Sequence, residues 1–126
     1  MIEKLLFLLI TLFIMKCSND TNADLNGTWF LSEYCFSIGD GKCSLRDADF
    51  EQTFVINYES FSYASNNVKC TGIYHRDDNI LTLNNLTPKK CLSDKMFLKR
   101  IDKNTLEINP WCTEPCRYIY KKKEGL

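Results

Sequence analysis

Residues 28–36 read TWFLSEYCF, and they open a series of short runs rich in aromatic and β-branched residues. A loop with two glycines, residues 37–42, follows. Residues 52–58 then alternate, so that Phe54, Ile56 and Tyr58 are predicted to share one face of a strand and Thr53, Val55 and Asn57 the other. An alternation of period two predicts half-buried strands, because an amphipathic helix would repeat every 3.6 residues.

The same pattern recurs to the end of the chain, with turn residues between the runs. The remaining predicted strands are residues 61–64, 68–75, 80–84, 96–101, 105–108 and 117–122. Residues 44–51 and 87–95 fit no strand, and either stretch could hold a short helix. About eight strands predict an all-β domain folded as a small antiparallel up-and-down barrel, because closure leaves no exposed sheet edge.

The amino terminus predicts export. Residues 5–15 read LLFLLITLFIM, which is too short to span a bilayer but has the length of a signal-peptide core. Lys16 and Cys17 follow this run. An apolar run that leads into a Cys resembles a bacterial lipoprotein signal. We therefore predict a signal peptide over residues 1–16, lipidation at Cys17, a polar tether over residues 17–24 and a barrel domain over residues 25–126.

A second cleavage site remains open. Thr21-Asn22-Ala23 is a small-x-small site, and cleavage there would release a soluble secreted protein that begins at Asp24. The lipidated form would lie in the cell envelope, as an outer-membrane lipoprotein or on the periplasmic side.

Cysteine is unusually frequent in this chain, which has seven. Either cleavage leaves an even set of six, and an even set in an exported chain predicts disulfides. These are Cys35, Cys43, Cys70, Cys91, Cys112 and Cys116. We favour the pairs Cys35–Cys43, Cys70–Cys91 and Cys112–Cys116, and the rival pairing joins Cys70 or Cys91 to the Cys112/Cys116 pair. No second close pair faces Cys112 and Cys116, so we predict no zinc site.

Gly27-Thr28-Trp29, directly after the tether, resembles the G-x-W signature of lipocalins and of lipocalin-like lipoproteins of Bacteroidetes. The resemblance extends over about residues 25–122 and includes these features: Cys70-x-Gly72-x-Tyr74, the turn at 76–79, Leu81/Leu83, Leu106/Ile108 and the ending at 112–118. It implies a calycin-like barrel in which Trp29 closes one end. It also implies that a basic side chain of the last strand covers Trp29, here Lys121, Lys122 or Arg117.

The resemblance and the aromatic interior imply a binding protein for a small apolar ligand. The predicted lining is Leu31, Phe54, Ile56, Tyr74, Leu81, Leu83, Leu106, Ile108, Tyr118 and Tyr120. These side chains are large and could instead fill the barrel completely. The alternative is an envelope-surface interaction protein or a hydrolase inhibitor without a small-molecule ligand, which would use residues 37–42 and 110–115 as a binding rim.

Charge and histidine content limit other functions. Sixteen basic residues balance sixteen acidic ones, which argues against a nucleic-acid binder. His75 has no flanking nucleophile motif, and the acidic residues at 47–51 and 77–78 lack the pattern of a calcium loop. We therefore expect a monomer that is not an enzyme, holds no cofactor or metal, and contacts the membrane only through its anchor.

Overall fold

The computed structural model describes residues 25–37, 39, 41–110, 112 and 116–123. Their strands are β1 (Gly27–Phe36), β2 (Arg46–Asp47), β3 (Gln52–Asn57), β4 (Ser60–Ser65), β5 (Val68–Asp77), β6 (Ile80–Thr87), β7 (Lys95–Asp102), β8 (Thr105–Pro110) and β9 (Cys116–Lys122). The predicted signal peptide, Cys17 and the tether lie outside the described residues. So do parts of the predicted rim, at residues 38, 40, 111 and 113–115.

Eight of these strands form a closed antiparallel barrel. Strands β3 to β9 pair in sequence order, β1 pairs with β3, and β1 also pairs with β9, which closes the sheet. The two-residue strand β2 pairs only with the part of β1 that β3 does not reach. The predicted all-β, up-and-down barrel is confirmed. Neither 44–51 nor 87–95 contains a helix; the first holds β2 and the second connects β6 to β7.

The alternation predicted for β3 is correct except at its end. Phe54 and Ile56 are buried, whereas Tyr58 is 62% exposed. Tyr58 has a φ of 56° and lies in the tight turn between β3 and β4, so the strand ends before its side chain can point inward. The predicted inward position of Tyr58 is therefore wrong.

Trp29 closes the barrel end at which β1 begins. It is fully buried, and its indole Nε1 donates a hydrogen bond of 2.8 Å to the carbonyl oxygen of Leu25. The Lys122 ammonium lies 5.6 Å from the centroid of the indole ring. Gly27 permits this approach, because a Cβ there would lie 2.7 Å from Lys122 Cε and its φ of 139° suits only glycine. We call this end the closed end.

The other two basic candidates of the last strand do not cover Trp29. Lys121 is exposed. Arg117 forms an ion pair of 2.7 Å with Glu107, a carboxylate that also accepts a hydrogen bond of 2.7 Å from the Asn109 amide. Lys122 alone therefore fills the position that the resemblance implied.

Three disulfides link the pairs Cys35–Cys43, Cys70–Cys91 and Cys112–Cys116. Their Cα atoms are 5.5, 5.7 and 6.2 Å apart, within the range that a disulfide spans. This is the pairing favoured from the sequence, and the rival pairing does not form. Three disulfides in so small a domain indicate an oxidising environment outside the cytoplasm.

Candidate ligand-binding site

A pocket of about 250 Å³, which we call the mouth pocket, lies at the barrel end opposite Trp29. Strand β3 begins there and β4 ends there, so Gln52 and Tyr63 come together at the opening. The full lining is Gln52, Phe54, Tyr63, Cys91, Leu92, Ser93, Met96, Ile108, Pro110, Tyr118 and Tyr120. A concave surface of apolar and aromatic side chains with a few polar groups is typical of small-molecule sites.

A chain of hydrogen bonds fixes the polar wall of the mouth pocket. The Gln52 side-chain amide donates to the Tyr120 hydroxyl, and Ser65 Oγ donates to Gln52 Oε1 over 3.3 Å. Because the Tyr120 hydroxyl accepts from Gln52, its own proton is left to donate to an acceptor in the pocket.

The three pocket phenols stay neutral at physiological pH. Burial raises the pKa of Tyr63, Tyr118 and Tyr120 above its ordinary value, and Tyr120, the most deeply buried, is shifted furthest. The neighbouring side chains Ser65, beside Tyr63, and Gln52, beside Tyr120, oppose that rise without cancelling it. The wall therefore offers neutral hydrogen-bonding groups.

Phe54 forms the aromatic floor of the pocket. Its ring centroid lies 4.9 Å from that of Tyr63 and 5.3 Å from that of Tyr120, the latter in an edge-to-face arrangement. Such contacts stabilise the rings in one arrangement before any ligand binds. The pocket is therefore preformed, which lowers the entropic cost of binding.

A second, inner cavity of about 20 Å³ lies deeper in the barrel and is lined only by buried apolar or aromatic residues. That volume is about enough for one water molecule. Phe54, Met96 and Ile108 line both spaces and form the wall between them. Most of the barrel interior is thus packed core, and of the two spaces lined by the described residues the mouth pocket has room for a ligand.

The predicted lining residues divide between these two spaces and the core. Phe54, Ile108, Tyr118 and Tyr120 line the mouth pocket. Phe54, Ile56, Tyr74, Leu81, Leu83 and Ile108 line the inner cavity. Leu31 and Leu106 are buried in the core but line neither space, so the structure does not bring them to the site.

Sequence reasoning missed seven residues of the mouth pocket: Gln52, Tyr63, Cys91, Leu92, Ser93, Met96 and Pro110. Tyr63 and Met96 carry a signal, since each shares the inward phase of its strand with Phe61 or Leu98. Residues 91–93 carry none, because they belong to the stretch without a periodic pattern.

The connection of residues 88–94, which we call the mouth loop, lies over the pocket. The Cys70–Cys91 disulfide joins it to β5, and the Cys91 amide donates to the Pro88 carbonyl over 3.2 Å. The Leu83 amide donates to the Asp94 carbonyl over 2.7 Å. These links hold Leu92 and Ser93 against the opening.

Other chemistry suggested by single residues is not brought together. His75, Asp77 and Asp78 are exposed, as are Asp47, Asp49 and Glu51. Asp49 accepts a hydrogen bond of 3.2 Å from the Tyr34 hydroxyl. Across the described residues, no group of three His, Cys, Asp or Glu side chains could hold a metal ion. In the same residues, no helix has the length and apolar character to cross a membrane.

Comparison of the chain with models of protein families, with curated proteins and with solved structures gave no match. The eight-stranded closed barrel is compatible with a calycin-like fold.

Proposed function

We propose that this protein is an exported, lipocalin-like binding protein that holds a small apolar ligand in the mouth pocket. The single observation that carries the proposal is the preformed mouth pocket, in which an aromatic floor adjoins a small set of fixed polar groups. In this proposal the protein is not an enzyme, and a lipid on Cys17 tethers the barrel to the cell envelope.

The energetics suit a modest-sized ligand. Burial of apolar surface stabilises a complex by about 25 cal/mol per Å², so a ligand enclosed by Phe54, Leu92 and Met96 gains affinity mainly from its apolar area. The polar wall of Gln52 and Tyr120 then fixes its orientation.

A blocking variant tests the proposal. Ser93 is exposed at the opening, so Ser93→Trp should fill the mouth without disturbing the core. The matched control is Ser62→Trp, at an exposed position on the outer face of β4. With the mature protein and the uncharged dye N-phenyl-1-naphthylamine, we expect saturable fluorescence enhancement that Ser93→Trp abolishes and Ser62→Trp retains. A wild-type protein that gives no enhancement would contradict the proposal.

The lipid anchor requires a separate measurement. The intact mass of the protein from native membranes should show a diacyl or triacyl addition to a chain that begins at Cys17. The same spectrum should show the loss of six hydrogens that three disulfides require. A chain that begins at Asp24 would reject the anchor and leave the binding proposal untouched.

The alternative is an interaction protein or hydrolase inhibitor. Two observations favour it. The inner cavity has a volume of only about 20 Å³. Phe36 is 47% exposed at the mouth, where its ring packs edge-to-face against those of Tyr34 and Tyr118. Pull-down from envelope or host extracts with the mature protein and with Phe36→Ser tests it. A partner captured by the first and lost by the second supports the alternative, whereas an empty pull-down beside clear dye uptake rejects it.

A further inference from the structure

We propose that the mouth pocket selects uncharged amphiphiles whose head group accepts a hydrogen bond, such as long-chain alcohols, esters or amides, and rejects the corresponding carboxylates. This inference rests on the proposed function and specifies the ligand class of the same pocket.

The lining of the mouth pocket supplies no countercharge. Its polar side chains are three phenols, one carboxamide and one hydroxyl, and none of its described residues is Lys, Arg, His, Asp or Glu. A carboxylate that enters such a pocket loses its hydration without gaining an ion pair, which costs far more than the burial of a neutral head group. A neutral head group loses only hydrogen bonds that the wall can replace.

Charged residues close to the pocket in sequence do not supply the missing cation. Arg117 precedes the lining residue Tyr118, but its guanidinium forms two hydrogen bonds to Glu107, at 3.0 and 2.7 Å. Lys90, Lys95 and Lys121 directly adjoin lining residues, as do Glu51 and Asp94, and all five are exposed. Exposed charges are screened by salt and attract an anion in the pocket far less than a cation in the lining would.

The hydrogen-bond directions specify the head group further. Tyr120 receives a hydrogen bond from Gln52 and therefore donates its own proton to whatever enters. The preferred partner is an acceptor oxygen, of the kind that alcohols, esters and amides carry. Below it, Phe54, Met96 and Ile108 offer an apolar surface for the tail, and Met96 can change rotamer to extend it toward the inner cavity.

Displacement of the bound dye tests the selection. In the mature wild-type protein, we expect 1-decanol to displace N-phenyl-1-naphthylamine at a concentration at least about tenfold lower than decanoate does, because only decanoate must bury a charge. Equal displacement, or stronger displacement by decanoate, would overturn the inference while the dye signal still supports the proposed function. Failure of the dye to bind at all would overturn the proposed function, and the inference with it.

Two variants at one position give the polar wall a charge of opposite sign. Gln52→Lys supplies a cation and should lower the concentration of decanoate needed by about tenfold, whereas Gln52→Glu should raise it. The response to 1-decanol should change much less between these two variants. Identical decanoate responses would refute the assignment of the head group to Gln52. The comparison of 1-decanol with decanoate in the wild-type protein tests the inference by itself should the Gln52 variants fail to fold.

Discussion

Trp29 is completely buried although it lies close to an end of the barrel, and Lys122 is the residue that makes this possible. The Lys122 ammonium lies over the indole ring, and a cation over an aromatic face stabilises by about 0.5–1 kcal/mol at an exposed site. Lys122→Met keeps the stem and removes the charge. We expect it to lower the free energy of unfolding, measured in urea, by about that amount.

The control for this prediction is the neighbouring Lys121, which is exposed. Lys121→Met removes the same charge from the same strand without touching Trp29, so it should leave the unfolding free energy within about 0.5 kcal/mol of wild type. Equal losses in both variants would show that the effect is one of net charge rather than of the contact with Trp29.

Glu107 is a carboxylate whose ionisation stabilises the fold. Burial opposes its charged form, but the hydrogen bonds from Arg117 and Asn109 and the charge of Arg117 outweigh burial and lower its pKa. A lowered pKa in the folded state stabilises the fold above the unfolded pKa of about 4.5, and this stability is lost as the pH falls through the folded pKa.

Glu107→Gln should therefore flatten the acid limb of the stability curve. At pH 7 we expect it to cost about 1–2 kcal/mol, because a hydrogen bond to a charged group is replaced by a neutral one. Between about pH 5 and pH 3 the wild type should lose more of its unfolding free energy than the variant does. Parallel curves would contradict this account. At pH 7, Glu51→Gln, which removes an exposed carboxylate, should change the free energy by less than about 0.5 kcal/mol.

At the scale of elements, the disulfide of the mouth loop should contribute more than either of the other two. Cys70–Cys91 closes a separation of 21 residues, against 8 for Cys35–Cys43 and 4 for Cys112–Cys116. In the chain-entropy account, the longest separation corresponds to about 3 kcal/mol and the shortest to about 2 kcal/mol.

Removal of the long disulfide should also release the pocket wall. Cys70→Ala with Cys91→Ala should lower both the unfolding free energy and the affinity for N-phenyl-1-naphthylamine, since Leu92 and Ser93 are held through Cys91. Cys35→Ala with Cys43→Ala should affect stability alone, because neither residue lines the pocket. Unchanged dye affinity in the first double variant would show that the other hydrogen bonds of the loop suffice to hold the wall.

The strands were predictable because their side chains alternate, and the site was only partly predictable because much of it lies outside that alternation. Phe54, Ile108, Tyr118 and Tyr120 follow the inward phase of their strands, so sequence reasoning places them in the barrel. The inward phase does not show where along the barrel axis each side chain lies. Leu106 therefore looks the same as Ile108 in the sequence, although only Ile108 reaches the pocket.

Local geometry that depends on distant strands was also beyond the sequence. A Cβ at Gly72 would lie 2.9 Å from the Asn84 carbonyl oxygen, 3.0 Å from Phe61 and 3.1 Å from Leu86, so this glycine allows three strands to pack closely. The pairing of β5 and β6 is irregular between Thr71 and Ile73. The Cys70–Cys91 disulfide was predicted from the sequence, but the position of the mouth loop against the pocket was not, because residues 88–94 carry no periodic pattern.

At the scale of the whole molecule, the barrel has two dissimilar ends. Trp29 and Lys122 close one end, and the inner cavity behind them has a volume of only about 20 Å³. Gln52, Tyr63 and Tyr120 surround the pocket at the other end. Fixed polar groups cost stability when they are buried. Because this fold keeps them at the mouth and packs its apolar core toward the closed end, the residues proposed to bind a ligand are largely distinct from those that stabilise the core.

This arrangement predicts how the folded protein behaves in alkali. Burial raises the pKa of Tyr63, Tyr74, Tyr118 and Tyr120, most of all that of Tyr120. A raised pKa in the folded state stabilises the fold below the unfolded pKa of about 10, and that stability is lost as the pH rises above it. The barrel should therefore lose stability progressively above about pH 10, as ionisation begins to favour the unfolded chain.

The phenolate absorbance at 295 nm measures this directly. At about pH 10.5 the folded protein should show clearly less phenolate than the same chain unfolded in guanidinium, and the difference should disappear in the pH range where the circular dichroism of the fold is lost. Tyr120→Phe should reduce the difference, because it removes the phenol with the largest shift. Tyr58→Phe, at a 62% exposed position in a turn, is the matched control. Superimposable titrations of the folded and unfolded protein would contradict the raised pKa values of these phenols, and with them the burial that causes the shifts.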